Sequence, residues 1–314
     1  MLQYLIIVLD DTSISYCHYS NKGLENRLIG LEDLKAGVMF AMKEDLTVQF
    51  VYPSYDLPQE YKNIIDTVRH SKIVPAVHKE HADVVVLDGW IQLRTYSYEL
   101  NVAYVLRTVK KDFFRYYTVI GEVISKISRL NVIITDIETF TEKDFEAYQC
   151  VLSRISFQLE DLHKQGKTPQ LNLLTDRLML SRMNNCNSGW ESVTLAPNGN
   201  FYVCPAFYYE TENDSIGDLK SGLDIKNSQL YRLDHAPLCR NCDAYQCRRC
   251  IYLNRKMTNE VNTPSHEQCV VAHLERNASR LLLSALRRQI REFLPGQDIK
   301  ELVYLDPLDI RKEF

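Results

Sequence analysis

No apolar run in this sequence reaches the roughly eighteen residues that crossing a bilayer requires, so a membrane-spanning chain is not expected. The opening "MLQYLIIVLDD" has no basic segment ahead of its apolar run and no small-residue cleavage site after it. It reads as a buried strand, not a secretory signal. An excess of one charge is also missing. The formal net charge of −4 offers no basic footprint for nucleic acid. The expected setting is therefore cytoplasmic, where disulfides are disfavoured. Cysteine itself is nearly missing from the first 180 residues, which hold only Cys17 and Cys150.

What the first 180 residues do have is alternation. "YLIIVL" (4–9), "TVQFVY" (47–52), "DVVVLDG" (83–89), "NVAYVLRTV" (101–109), "NVIITD" (131–136) and "QLNLLTD" (170–176) read as strands, several of them apolar on both faces. Helical spacing lies between them: Leu31, Leu34, Val38 and Ala41; Tyr61, Ile64, Ile65 and Val68 after Pro58; and Phe113, Tyr116, Ile120, Val123 and Ile127. A longer helix starts near residue 142, after a capping-box-like "TFTE", and stops at Gly166. Its apolar stripe is Phe145, Tyr148, Leu152, Ile155, Leu159 and Leu162. Such alternation predicts an α/β fold with a parallel sheet and right-handed crossovers, either an open doubly wound sheet or a partial barrel. Residues 10–30 and 70–82 fit no clean repeat. Asp10, Asp11, Asp88, Asp136 and Asp176 recur at strand ends, where parallel folds build sites, but aspartate is also the common cap and turn residue there. "HKEH" (78–81) reads as a solvated loop, Cys150 as a buried small hydrophobe and Cys17 beside His18 as an ordinary thiol.

The other seven cysteines, Cys186, Cys204, Cys239, Cys242, Cys247, Cys250 and Cys269, crowd into residues 186–269. "CRNCDAYQCRRC" (239–250) sets two CxxC pairs four residues apart. A CxxC turn points both sulfurs at one metal, so two such pairs in a reducing compartment predict metal binding. One zinc can take all four sulfurs of the knot, but that leaves Cys186, Cys204 and Cys269 without a role. A compact cysteine run can instead send its last thiolate to a second cluster, as in two-cluster ferredoxins. Ahead of the knot, "CNSGWESVTLAPNGNFYVCP" (186–205) reads as a β-hairpin turning at Pro197-Asn198-Gly199 with thiols at its ends.

The order of cysteine, hairpin, "SIGDLKSG" (215–222), knot and last cysteine resembles the SPASM domain, the auxiliary iron–sulfur domain of many radical SAM peptide-modifying enzymes. That resemblance implies one [4Fe–4S] cluster on Cys239, Cys242, Cys247 and Cys269, and a second on Cys186, Cys204 and Cys250. The knot is shorter than the family pattern by a residue in each later gap, and one hairpin cysteine is missing after Cys186. The second site then has three thiolates. Its fourth position is either filled by a non-cysteine residue, with Asp234, His235 and His266 near in sequence, or open to a substrate thiolate or amide. The departures keep zinc as the alternative metal.

A radical SAM enzyme carries CxxxCxxC after its first barrel strand. Here that place reads "DDTSISYCHYSNKG" (10–23), with Cys17 alone, and "VYPSYD" stands where a glycine-rich segment would follow the second strand. The chain thus resembles a degenerate member of that superfamily. "YLIIVLDDTSISYCHY" and the C-terminal cysteines look like the CXXX repeat peptide maturases, radical-SAM-like proteins encoded with cysteine-repeat precursor peptides. The resemblance implies a partial (β/α)6 barrel over residues 1–180, a SPASM-like metal domain over 181–270 and a C-terminal helix and tail over 271–314. That helix, with Val270, Leu274, Leu281, Ala285 and Ile290 as its apolar positions, is expected to dock on the barrel. The expected function is maturation of a ribosomally made, cysteine-containing peptide, with iron–sulfur clusters and without SAM. A partner modification enzyme is compatible with it, and neither nucleic acid nor membrane is expected. The competing expectations are a zinc-stabilised scaffold that presents a peptide to another enzyme and an electron-transfer subunit.

Overall fold

The computed structural model describes residues 2–21, 26–78, 82–180, 186–242, 244, 247, 249–290 and 292–299. The chain divides into two compact units, one of residues 1–87 and 187–235, the other of 88–186 and 236–314.

In the first unit the strands are β1 (Tyr4–Val8), β2 (Thr47–Val51), β3 (His70–Pro75), β4 (Val84–Asp88), β8 (Ser192–Leu195) and β9 (Phe201–Tyr202). Their order is β4-β3-β2-β1-β8-β9. All neighbours are parallel up to β8, and β9 alone runs antiparallel, pairing Thr194 with Tyr202 and Leu195 with Phe201. Helix α1 (Leu31–Lys43) follows β1, and α2 (Gln59–Ile65) follows β2. Leu5, Ile7 and Val8 of β1 are fully buried, as a central strand between two parallel neighbours requires. The predicted hairpin is therefore present and extends the parallel sheet through the β1–β8 pairing. Two glycines shape it. Gly199, at φ +80°, makes the β8–β9 turn, and Gly189, also at φ +80°, makes the turn into β8. A Cβ on Gly189 would lie 2.7 Å from the Tyr231 ring and 2.9 Å from Val203, so both backbone angle and space demand glycine there. After β9 come α8 (Pro205–Glu210) and the short antiparallel pair β10 (Gly217–Asp218) and β11 (Gly222–Leu223).

In the second unit β5 (Ala103–Thr108), β6 (Arg129–Ile134) and β7 (Gln170–Leu171) pair in parallel, in the order β7-β6-β5. Helix α3 (Trp90–Thr95) precedes them. The single helix predicted around residues 113–127 is two, α4 (Lys110–Tyr116) and α5 (Thr118–Ile124), which meet at Tyr117. The long helix α6 (Glu142–Lys164) is present with every predicted apolar position buried. Its capping box is Thr141 with Asp144, two residues beyond the expected "TFTE": Thr141 N and Oγ1 each lie 2.8 Å from Asp144 Oδ2. The one-turn helix α7 (Asp176–Met179) follows β7, and α9 (Ile251–Thr258) and α10 (His266–Gln289) end the described fold. Helix α10 docks on α6, but not along the stripe read from its large aliphatics. Leu281 is 64% exposed, and the buried face is Val271, Ala272, Arg276, Ala278, Ser279, Leu282, Leu283 and Leu286. Small residues at the centre of that face let the helix approach closely, and the Ser279 hydroxyl donates to the Leu174 carbonyl at 2.8 Å. Cys150 is a second correction: it lies on the exposed face of α6. No helix among the described residues is long and apolar enough to cross a membrane.

Candidate metal centre

The C-terminal ends of the first unit's strands carry a closed polar network. Asp10, fully buried, accepts from Thr12 N at 2.8 Å, from Thr12 Oγ1 at 2.5 Å and from the Tyr55 hydroxyl at 2.8 Å. Asp11 accepts from the Tyr208 hydroxyl and from Arg27 Nε at 3.2 Å, and Arg27 Nη2 continues to Glu212 at 2.6 Å. That Arg27 hydrogen bond holds the Glu212 carboxyl below its usual range. Tyr19 stacks on Tyr209 with ring centroids 5.5 Å apart. Burial pushes the Tyr19 hydroxyl well up, and Cys17 and Cys204 both act on it electrostatically. Asp10 and Asp11 are thus engaged structurally, which satisfies carboxylates that would otherwise be costly to bury.

Two of the remaining three strand-end carboxylates are spent similarly, while Asp88, at the end of β4, is exposed. Asp136 accepts from Lys110 N at 2.8 Å, and Asp176 is held by the Arg129 guanidinium at 2.7 and 3.1 Å. His78 is a buried structural histidine whose Nε2 donates to the Pro53 carbonyl at 2.7 Å. The rest of "HKEH", residues 79–81, lies outside the described residues.

The seven clustered cysteines are all described. Cys204 caps α8 in the first unit. The other six belong to the second unit. Cys186 is exposed, Cys239 is buried in a short 3-10 turn, Cys250 caps α9, and Cys269 sits in the first turn of α10. The first CxxC closes as a turn, with Cys242 N donating to the Cys239 carbonyl at 3.1 Å, and Cys247 N donates to the Ala244 carbonyl at 2.9 Å. The Cys242 sulfur accepts from the Ala244 amide at 3.4 Å, and Nε2 of His273 lies 3.5 Å from the same sulfur. Cys247 is within electrostatic range of Cys242. Burial pushes its thiol up to about 11, offset in part by a hydrogen bond from the Arg249 backbone. A bound cation would reverse that shift, because a coordinating thiol is deprotonated outright.

The donor chemistry suits a thiophilic metal. Among the described residues, however, no three His, Cys, Asp or Glu side chains stand together as a metal-holding group. What the structure brings together is the pair Cys242 and His273. His273 was not anticipated from the sequence. Its signal was there in the spacing: Cys269 and His273 are four apart on one helix, which puts both on the same face.

No protein-family model matches the sequence, and no curated protein matches it. Solved structures do. Native anSMEcpe with bound AdoMet and Cp18Cys peptide superposes with a TM-score of 0.64 at 11% identity, over 92% of this chain and 100% of that one. A histidine-tagged form of anSMEcpe with bound AdoMet gives 0.62 at 10% identity, again over 92% and 100%. The chain shares the fold of anSMEcpe. A weaker likeness is to Streptococcus suis SuiB bound to S-adenosylmethionine, with a TM-score of 0.45 at 10% identity over 72% of this chain and 66% of that one. The α/β core expected from the alternating strands and helices is thus the observed fold. The expectation that SAM is not used gains no support from that fold, since anSMEcpe, which shares it, holds AdoMet.

Proposed function

We propose that this chain takes part in maturation of a ribosomally synthesised, cysteine-containing peptide, as a degenerate radical SAM-like protein whose thiol-rich segment binds metal. The observation that carries this reading is the fold, which extends over 92% of the chain at a TM-score of 0.64 to a structure holding both AdoMet and a peptide. The cysteine set adds to it: Cys186, Cys204, Cys239, Cys242, Cys247, Cys250 and Cys269 follow the order of a SPASM domain. On this reading residues 1–180 form the barrel-like cradle, 181–270 the metal domain and 271–314 the docking helix and tail. A complete radical enzyme is not proposed, because the segment after β1 lacks CxxxCxxC and its carboxylates and tyrosines bond to one another. The resemblance to CXXX repeat peptide maturases names the substrate class, a peptide with repeated cysteines.

Iron–sulfur clusters are the cofactors that the SPASM resemblance implies, and thiolates are the ligands they require. A second reading is a zinc-stabilised scaffold that presents the peptide to a partner modification enzyme. The contact between Cys242 and His273 favours it, since mixed sulfur and nitrogen donors suit zinc.

The test is calorimetric titration of the anaerobically purified chain with a synthetic cysteine-repeat peptide. The expected result is saturable binding that weakens by at least about tenfold, ~1.4 kcal/mol, when the peptide cysteines become serine. Absence of any binding heat at peptide concentrations approaching ~1 mM would remove the peptide-maturation reading.

A further inference from the structure

Three arginines of the second unit stand on two adjacent tyrosine rings. The Arg94 guanidinium, from α3, lies 5.7 Å from the centroid of the Tyr116 ring, and that of Arg115 lies 5.1 Å from the same centroid. The Arg154 guanidinium, from α6, lies 5.8 Å from the centroid of the Tyr117 ring, and its Nη1 donates to the Tyr117 hydroxyl. Trp90 braces Tyr116: the two ring centroids are 5.9 Å apart, and the indole N–H is fixed on Thr108 Oγ1 at 2.8 Å. The helices that carry these residues are neighbours, α3 against α5, and α4 and α5 against α6. All three arginines are exposed. Among the described residues none of the three is in an ion pair, although Asp112 lies one turn before Arg115. Two guanidiniums held on one ring repel each other, and the ring attracts them without neutralising them. What the arrangement lacks is an anion.

Apolar side chains flank it. Ile91, three residues before Arg94 on α3, is 81% exposed, and Phe157, three residues after Arg154 on α6, is 69% exposed. Residues three apart share a helix face. Arginine, tyrosine and exposed large apolar groups together are the composition of a protein-contact surface. A guanidinium drawn to an aromatic face is already ordered, and its fork of N–H donors fits a carboxylate through two parallel hydrogen bonds. From this we infer that Arg94, Arg115 and Arg154, on the rings of Tyr116 and Tyr117, form a docking surface for an acidic segment of a polypeptide partner, with Ile91 and Phe157 as its apolar anchors. The chain's formal net charge of −4 opposes an extended polyanion such as nucleic acid, whereas a short acidic segment meets only this local positive face. The surface goes beyond the cysteine-dependent contact proposed above, since it reads carboxylates and not thiols.

Fluorescence anisotropy of the full chain with a labelled, cysteine-free peptide of alternating glutamate and leucine reads the surface. Saturable binding is expected, weakening as salt is raised and lost when glutamine replaces glutamate in the peptide. Arg94→Gln/Arg115→Gln is expected to weaken it by at least about a hundredfold, and Arg154→Gln alone by about tenfold. Arg94→Lys/Arg115→Lys should recover only part of the affinity, because lysine keeps the charge and loses the fork. The substituted side chains are exposed, and circular dichroism matching the parent chain establishes that each variant folds. No binding by the parent chain, or equal binding by the parent and Arg94→Gln/Arg115→Gln, would overturn the inference. So would oligothymidylate bound more tightly than the peptide through the same arginines, which would assign the surface to phosphate. The probe holds no thiol, so failure here leaves the cysteine-dependent contact standing, and failure of the cysteine-repeat peptide leaves this surface standing.

Discussion

Glu275→Gln is expected to lower the stability of the second unit by roughly 3–5 kcal/mol. Arg177 is completely buried, and its Nη2 pairs with Glu275 at 2.7 Å while Nη1 donates to the Leu173 carbonyl at 3.1 Å. Glu275 also accepts from the Tyr148 hydroxyl at 2.6 Å, so one carboxylate joins α7, α6 and α10. Arginine cannot shed its proton at any ordinary pH. Neutralising its partner leaves a buried charge uncompensated, which costs far more than an exposed ion pair is worth. Urea unfolding followed by far-ultraviolet circular dichroism measures the loss. The double variant Arg177→Met/Glu275→Leu should recover most of it, because the expense lies in the orphaned charge and not in the absent pair. A single-variant loss under about 1 kcal/mol would show that Arg177 reaches solvent or another anion.

The second large effect belongs to the thiols. Cys242→Ser is expected to remove the bound metal of the second unit and to loosen the 3-10 turn Cys239–Asn241 and helix α9 (Ile251–Thr258). Structural metal sites contribute folding free energy outright, on the order of ten kcal/mol for zinc-finger peptides, so a destabilisation of several kcal/mol confined to that segment is the expected result. Hydrogen exchange resolves it by segment. Cys17→Ala is the matched control. Cys17 lies in the loop after β1, in the other unit, and the variant should leave metal content unchanged. Loss of metal in Cys17→Ala would mean that the first unit holds a site of its own, and full metal retention in Cys242→Ser would remove Cys242 from the ligand set.

Much of the fold is legible in the sequence because its strands are buried on both faces and its turns use residues with few alternatives. The stretches 4–9, 47–52, 83–89 and 101–109 are rich in apolar and β-branched residues, and each contains a strand. The β8–β9 hairpin is legible from Pro197-Asn198-Gly199. Strand β3 is not, because His70, Ser71 and Lys72 are only half-buried and just Ile73, Val74 and Pro75 enter the core. The docking face of α10 is not the one its largest aliphatics suggest, because close packing selects Ala272, Ala278 and Ser279. Cys150 departs from expectation for a similar reason: a small apolar side chain need not be inside, and this one lies a step around α6 from the buried stripe. At the candidate site the thiols announce themselves by spacing. His273 is signalled only by its i, i+4 spacing from Cys269; its contact with Cys242 is not legible, because the two are thirty-one residues apart and only the fold brings them to 3.5 Å.

The central claim is that the thiols of the second unit are metal ligands. The most direct measurement is iron, zinc and acid-labile sulfide per chain, on protein purified without oxygen. Stoichiometric metal is the predicted result, with any iron accompanied by sulfide in equal amount. A folded chain that carries no metal and titrates with nine free thiols would contradict it.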